Sequence, residues 1–466
     1  MKTPTVKQLL SSDSPRQGAA AQGWIKTRRD SKALSFAELN DGSCRANLQL
    51  LIEPSVPGLA ELLPRLTVGA AVRAEGDLVA SPAAGQKYEL KVSKLEIYGD
   101  CDAEKYPIQK KKTSDEFLRT VAHLRPRTNK YAAMLRVRSE LSFAIHEYFR
   151  DNGFFYVHTP IITASDGEGA GAMFGVTSMD LSDPASFPRA EDGKTDFSKE
   201  LFGRRTYLTV TGQLEGETLA MGLGKIYTFG PTFRAENSNT YRHASEFWMI
   251  EPEMAFYDLH DDMELGEDFL KSITKAVMEK CPADLELFAK FVEPALMDNL
   301  RNITENKFER LAYTDAVKIL EPENARFETK VSWGVDLASE HERFLVEKHF
   351  KKPVILYNKP KGVAAFYMKL NDDDKTVRGM DVLVPRIGEV IGGSERENRL
   401  DVLERKLAEA GIDPAPYWWY LDLRRFGSVP HAGFGMGFER MMMLVTGIAN
   451  IRDVTAYPRV PGYAEF

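Results

Sequence analysis

Thr228-Phe-Gly-Pro-Thr-Phe-Arg234-Ala-Glu236-Asn-Ser, followed by Arg242-His243 and Glu246-Phe247-Trp248, reads as one β-hairpin with charge gathered at its tip. Aromatic and β-branched residues favour strands on both arms, and the polar stretch between them favours a loop. Two-residue alternation along a strand puts Arg234 and Glu236 on the same face. A planar guanidinium there can clamp a phosphate through paired hydrogen bonds, with the loop cations Arg242 and His243 on the outer phosphates. Phe247 can stack on a purine. The same residues also suit a surface hairpin with an ordinary ion pair.

Two further segments carry comparable chemistry. In Gly433-Phe-Gly-Met-Gly-Phe438-Glu-Arg440-Met-Met-Met-Leu, glycines that let a backbone approach a ligand lead into an apolar helix with an arginine in its first turn. A buried Arg440 needs an anion to offset its desolvation. Met441 to Val445 reads as core packing. In Met380-Asp381-Val-Leu-Val-Pro-Arg-Ile-Gly-Glu389-Val-Ile-Gly-Gly-Ser394-Glu-Arg396, two carboxylates near neighbouring strands can share a Mg²⁺ that bridges phosphate oxygens. A solvated acidic turn is the other reading. Arg396, just beyond, can meet a substrate carboxylate.

Strands expected at 207–210, 225–233, 246–256, 364–368, 376–384 and 389–392 leave little room for crossover helices, which predicts a mostly antiparallel sheet in an α+β domain. Residues 260–350 read as largely helical, and 178–204 as a polar surface excursion. Upstream, a helix begins at Thr128 or Asn129, either of which can cap it, and stops at Asn152-Gly153. A strand is expected from 154 to 162. Residues 21–98 divide into five short β segments at 23–27, 34–39, 46–52, 71–79 and 87–97, which suit a small partly closed barrel of OB type. The expected organisation is a barrel over residues 1–102, a Lys/Arg/Pro-rich linker over 103–128, and a second domain over 129–466.

The 466 residues carry a net charge of −7, which argues against a protein that coats nucleic acid over its whole surface. Local basic runs are compatible with it: Lys26 to Lys32 holds four cations and one acid, and Lys105 to Lys112 four lysines and no acid. These suit either a solvated face or a nucleic-acid footprint. No apolar run is long enough to span a bilayer and no leader opens the chain, so a cytoplasmic protein is expected. Cys44, Cys101 and Cys281 form no Cys-x-x-Cys pair. Phosphate loops, dinucleotide fingerprints, nucleophile elbows and zinc motifs are missing, so ATP handling would need another cradle.

In their order, the three segments resemble the signature motifs of class II aminoacyl-tRNA synthetases, with residues 153–160, ending in Pro160, similar to the motif that builds the dimer interface. A barrel placed first is the order of the aspartyl, asparaginyl and lysyl subgroup. Gly23-Trp24-Ile-Lys-Thr-Arg28-Arg29-Asp30-Ser-Lys32, Ala122-His-Leu-Arg-Pro-Arg127-Thr, Thr211-Gly-Gln213-Leu-Glu-Gly-Glu217 and Trp333-Gly-Val-Asp-Leu resemble the bacterial asparaginyl family. Aspartyl relatives carry a lysine where Gly216 stands. The resemblance implies ATP as substrate, Mg²⁺ at Asp381 and Glu389, asparagine and tRNA(Asn) as partners, and a homodimer. It places Arg234, Glu236 and Arg440 in catalysis and ATP binding, with Arg242, His243 and Phe247 around the nucleotide. Glu168, Gln213 and Glu251 fall around the amino-acid ammonium. Glu217 is expected to accept from the asparagine amide and repel a carboxylate, with Arg396 on the side-chain carbonyl. In the barrel, Phe36 resembles a stacking platform for an anticodon base and Gln49 a reader of a base edge, with Arg28 on base or phosphate. By its own spacing Phe36 also suits plain barrel core. Rival readings are an aspartyl enzyme, discriminating or not, an asparagine synthetase on the same catalytic fold, and a non-catalytic RNA-binding relative.

Overall fold

The computed structural model describes every residue except 1, 32, 84, 109–112, 166 and 168–172. Two compact units make up the chain, Met1–Arg136 and Val137–Phe466.

In the first unit, β1 (Arg16–Asp30), β2 (Ser35–Asn40), β3 (Leu48–Ile52), β4 (Ala71–Ala80) and β5 (Tyr88–Gly99) close a barrel in the order β1-β2-β3-β5-β4. Alternation decides what goes inside. Leu39, Leu48, Leu50, Ile52, Val72 and Leu90 are fully buried there, each contributing about 1.5–3 kcal/mol. β1 starts seven residues earlier than expected, because Arg16-Gln-Gly-Ala-Ala-Ala lacks the β-branched and aromatic residues that mark a strand. A register shift lies at Glu75/Gly76, where a Cβ on Gly76 would stand 1.9 Å from the Lys91 carbonyl oxygen. Only glycine fits.

Phe36 and Gln49 are half-buried on the barrel's outer face, between the buried pairs Ser35/Ala37 and Leu48/Leu50, so Phe36 is not barrel core. Arg28 does not join them. Its guanidinium donates to the carbonyls of Leu63 and Leu66 and pairs with Asp30 at 2.7 Å, bracing a loop, whereas Arg29 is the residue opposite Phe36. The reading of Arg28 as a base or phosphate contact is therefore corrected: alternation across β1 turns it away from the Phe36 face. Lys32 and Lys110 to Lys112 of the basic runs lie outside the described residues.

Helix α1 (Asn129–Asp151) begins in the first unit and runs into the second. Thr128 starts it, its Oγ1 accepting from the Tyr131 amide at 3.4 Å, and Gly153 with φ 77° ends it. Met134, Val137, Leu141, Ile145 and Phe149 form its buried stripe. Phe149 takes the last buried place, and the neighbouring Tyr148 donates to Asp268 at 2.7 Å.

The second unit is built on an eight-stranded sheet: β6 (Phe155–Tyr156), β7 (Lys225–Phe233), β8 (Glu246–Ala255), β9 (Glu309–Ala312), β10 (Val354–Pro360), β11 (Thr376–Val384), β12 (Gly388–Glu395) and β13 (His431–Gly437). Their order is β9-β10-β11-β12-β13-β8-β7-β6, with parallel pairing only at the two outer pairs. This is the expected α+β, mostly antiparallel architecture. Helices α2 (Gln213–Leu223), α3 (Leu259–Lys280), α4 (Trp418–Arg425) and α5 (Phe438–Thr446) pack around it. Asp258 caps α3 through a reciprocal box with Asp261. A Cβ on Gly266 of α3 would lie 3.6 Å from Met380 and 3.8 Å from Val382, and alternation sends Asp381 between them to the opposite face.

Two local expectations are corrected. Residues 154–162 are not one strand: β6 is two residues long, and Ile162–Thr163 belongs to a small sheet with Gly175–Val176 and Thr206–Leu208. Pro160, which has no amide hydrogen to donate, lies between them. Residues 364–368 contribute only a single bridge, Met368 to Arg396. The strand is instead β10, whose apolar run is enclosed by Pro353 and Pro360. The 260–350 region is largely helical, as expected, and β9 adds an edge strand within it.

Candidate active site

Two adjoining chambers open on the sheet face opposite α3. The first is lined by Arg234, Glu236, Arg242, His243, Phe247 and Arg440, among others. The hairpin β7–β8 carries the first five. Arg234 follows the end of β7 at Phe233, and Glu236, Arg242 and His243 lie in the loop, so strand alternation does not set Arg234 and Glu236; Phe247 is on β8. Thr232 pairs with Phe247 and Phe233 with Glu246, and the Arg234 amide donates to Ser245 at 3.0 Å. The Arg234 guanidinium lies 5.5 Å from the Phe247 ring centroid. Arg242 donates to Ser339 Oγ at 2.6 Å, and His243 Nδ1 sits 2.6 Å from Thr240 Oγ1. Burial and the nearby Arg440 both hold Arg242 and His243 below their ordinary pKa values. Cations that depress one another in this way favour an anionic ligand between them.

At the back of this chamber Glu389 meets Arg440 at 3.5 Å. Burial pushes its carboxyl up, but Arg440 and Lys359 outweigh that and hold it below its ordinary value. Asp381, on the neighbouring strand, pairs with Lys359 at 2.5 Å yet is pushed up to about 6 by burial and by Glu389. Both carboxylates border one gap: a Cβ on Gly392 would lie 2.8 Å from Glu389 Oε1 and 3.6 Å from Asp381 Oδ1. Glu342 accepts from the Glu389 amide at 3.2 Å and is pushed up to about 7 by burial, then by Glu389 and Asp381.

The second chamber is lined by Gln213, Glu251, Glu253, Lys359, Tyr367 and Arg396, among others. Arg234, Met249, Glu389 and Gly435 belong to both chambers and form the partition between them. Glu251 accepts from Thr211 Oγ1, from the Gly212 amide at 3.0 Å and from Thr228 Oγ1 at 3.1 Å. Arg396 holds Glu253 in a forked pair, donates to Ser394 Oγ at 2.9 Å, and lies 5.3 Å from the Tyr367 ring centroid. Eleven of the expected ligand-binding residues thus line one chamber or the other: Arg234, Glu236, Arg242, His243, Phe247, Glu389 and Arg440 at the first, and Gln213, Glu251, Asp381 and Arg396 at the second.

Residues 114–461 match the family described as tRNA synthetases class II (D, K and N), and residues 20–98 the OB-fold nucleic acid binding domain. The chain belongs to the class II tRNA synthetases. An asparagine–tRNA ligase of Nitratidesulfovibrio vulgaris is 56% identical over 466 residues, covering 100% of both chains. One from Nostoc sp. is 55% identical over 461 residues, 99% of each. The crystal structure of an asparaginyl-tRNA synthetase from Pyrococcus horikoshii, complexed with asparaginyl-adenylate, matches with a TM-score of 0.86 at 31% identity over 100% of each chain.

In the catalytic unit of this class II synthetase, one expected site residue stands elsewhere. Glu217 does not line the chamber. It is fully buried, and its carboxylate accepts from Gln213 Nε2 (3.1 Å), Tyr420 OH (2.8 and 2.9 Å), Arg424 Nη2 (3.0 Å) and His431 Nε2 (2.9 Å). A carboxylate has about four lone-pair sites. All are taken, so the reading of Glu217 as the group that accepts from a substrate amide is corrected. Glu168 lies outside the described residues. Glu253, Lys359, Tyr367 and Glu342 were missed. Glu253 was legible, since it follows Glu251 by two on a strand and so faces the same way; Lys359, Tyr367 and Glu342 carry no local pattern.

Proposed function

We propose that this synthetase activates asparagine with ATP and transfers it to tRNA(Asn), working in the cytoplasm as a homodimer. The observation that carries the reading is the pair of chambers meeting at Arg234 and Glu389, one ringed by cations and one lined by paired acids and bases. The asparagine carboxylate attacks the α-phosphate to give asparaginyl-adenylate and pyrophosphate, and a ribose hydroxyl at the tRNA 3′ end then attacks the activated carbonyl. Arg234 steadies the charge that builds on the α-phosphate, while Arg440, Arg242 and His243 hold the outer phosphates and Phe247 lies against the base. Glu236, exposed at the chamber rim, orients the nucleotide. Gln213 and Glu251, with Glu168, receive the ammonium.

Mg²⁺ suits Glu389 and Asp381, an all-oxygen pair bordering one gap. Mg²⁺ is commonly held by one or two carboxylates plus substrate phosphates, and when bound it would draw charge from those phosphates. Among the described residues no larger cluster of metal-ligating side chains forms. Lys359 neutralises Asp381 in the free protein.

A neutral side chain fits the second chamber better than an anionic one. Arg396 is already balanced by Glu253, and the acids of the wall, Glu251, Glu253, Asp381 and Glu389, outnumber the bases Arg234, Lys359 and Arg396. The barrel face with Phe36, Gln49 and Arg29 suits splayed anticodon bases. Among the described residues no helix is long and apolar enough to cross a membrane. ATP–pyrophosphate exchange measured side by side with asparagine and aspartate tests the assignment: exchange with asparagine is expected, and exchange with aspartate alone would overturn the specificity while leaving the class intact.

A further inference from the structure

Behind the second chamber lies a group of polar side chains that touches neither chamber directly yet holds one of its walls. Tyr420 and Arg424 on α4, with His431 at the start of β13, close around Glu217 of α2. The four come from segments about two hundred residues apart and are almost wholly excluded from water. The Arg424 Nη2 donates to the Tyr420 oxygen at 2.9 Å, and the Tyr420 hydroxyl in turn donates to Glu217. Arg424 is itself anchored, its Nε donating to the Glu397 carbonyl at 2.8 Å. Such a charge group is costly to bury and unlike the apolar core that would serve packing alone.

Two of its contacts reach the chamber: Arg396, whose Nε lies 3.9 Å from Glu217, and Gln213, which bonds Glu217 directly at 3.1 Å. A carboxylate only accepts, so the edge of the Gln213 amide facing Glu217 has to be the NH₂. The carbonyl oxygen of Gln213 is thereby turned the other way and offered as an acceptor. Burial opposes the charge on Glu217, but Arg424, His431 and Arg396 overcome it and keep the carboxyl far below its ordinary value, so the acceptor does not become a donor at working pH.

We propose that Tyr420, Arg424 and His431 are positioning residues for amino-acid binding: through Glu217 they lock the Gln213 amide with its oxygen toward the substrate ammonium. The inference rests on the reading that the second chamber takes the amino acid. Without the lock the amide can flip and present its NH₂ to a cation, which repels it.

Tyr420→Phe tests this with least disturbance, since it removes one hydroxyl and keeps the ring that lies 4.1 Å from the Arg424 guanidinium. In pyrophosphate exchange, KM for asparagine is expected to rise about three- to ten-fold, with KM for ATP and kcat within two-fold of wild type. Glu217→Gln, which lets residue 217 donate as well as accept, is expected to raise it by about thirty-fold or more. Unchanged asparagine KM in Tyr420→Phe overturns the proposal, as does a parallel rise in the KM values of asparagine and ATP, the mark of a merely structural role. Tyr420→Phe decides alone if Glu217→Gln does not fold. Wild-type exchange with aspartate in place of asparagine would sink the substrate assignment instead, and the same variants would then be read on the KM of aspartate.

Discussion

Lys406 illustrates how far a single side chain can be taken from its ordinary chemistry. On the helix Leu400–Glu409 it is 6% exposed, and its ammonium donates to the Met368 carbonyl. Burial pulls its pKa from 10.5 down to about 8, only partly opposed by Glu397. Below pH 8 both folded and unfolded chains hold the proton and the fold bears the full cost, on the order of 3 kcal/mol. Between pH 8 and 10.5 the unfolded chain binds more proton than the folded one, so stability rises with pH across that window. Lys406→Met keeps the stem and removes the charge. Urea midpoints measured from pH 8 to 10.5 should climb less steeply in the variant than in wild type, and equal slopes would show that the lysine is solvated.

At the scale of the element, the tightest constraint in the barrel is Gly76, where β4 shifts register against β5. Gly76→Ala would drive a methyl into the Lys91 carbonyl and should destabilise the barrel by about 2–3 kcal/mol or more. Pyrophosphate exchange needs no tRNA, so it should survive this change while aminoacylation falls; loss of both together would contradict the division of labour between the units. The elements also show where the sequence was readable. β7 and β11 were legible to the residue, because aromatic and β-branched runs bounded by turns leave one interpretation. β13 was not: its Gly-Phe-Gly-Met-Gly stretch has no β-forming run, and only the neighbours β12 and β8 hold it extended. The same division holds in the site. Arg234, Glu389 and Arg440 sit in segments whose local pattern announces chemistry. Glu217 was visible as a residue, but its partners Tyr420, Arg424 and His431 are two hundred positions away, and nothing local says that they saturate it. Arg28 and Arg29 were separable only by strand phase, which a bulge between Ile25 and Thr27 resets.

For the whole molecule, the sheet ends at β6, a two-residue strand paired only to β7. Phe155 and Tyr156 upon it, with Phe143 on α1, stay about half or more exposed. An edge with that much aromatic surface suits a partner of the same kind. Phe155→Asp should shift sedimentation from a dimer toward a 52.4 kDa monomer and lower exchange activity with it. A wild-type protein that already sediments as a monomer would overturn the expectation.

The partition formed by Arg234, Met249, Glu389 and Gly435 has a pharmacological consequence. A compound occupying both compartments surrenders its rigid-body freedom once, so two weak fragments joined at the right length can bind far more tightly than either. Escape by substitution would be difficult as well: under the proposed assignment, altering Arg234 or Glu389 to evict such an inhibitor would injure recognition of both natural ligands in the same stroke.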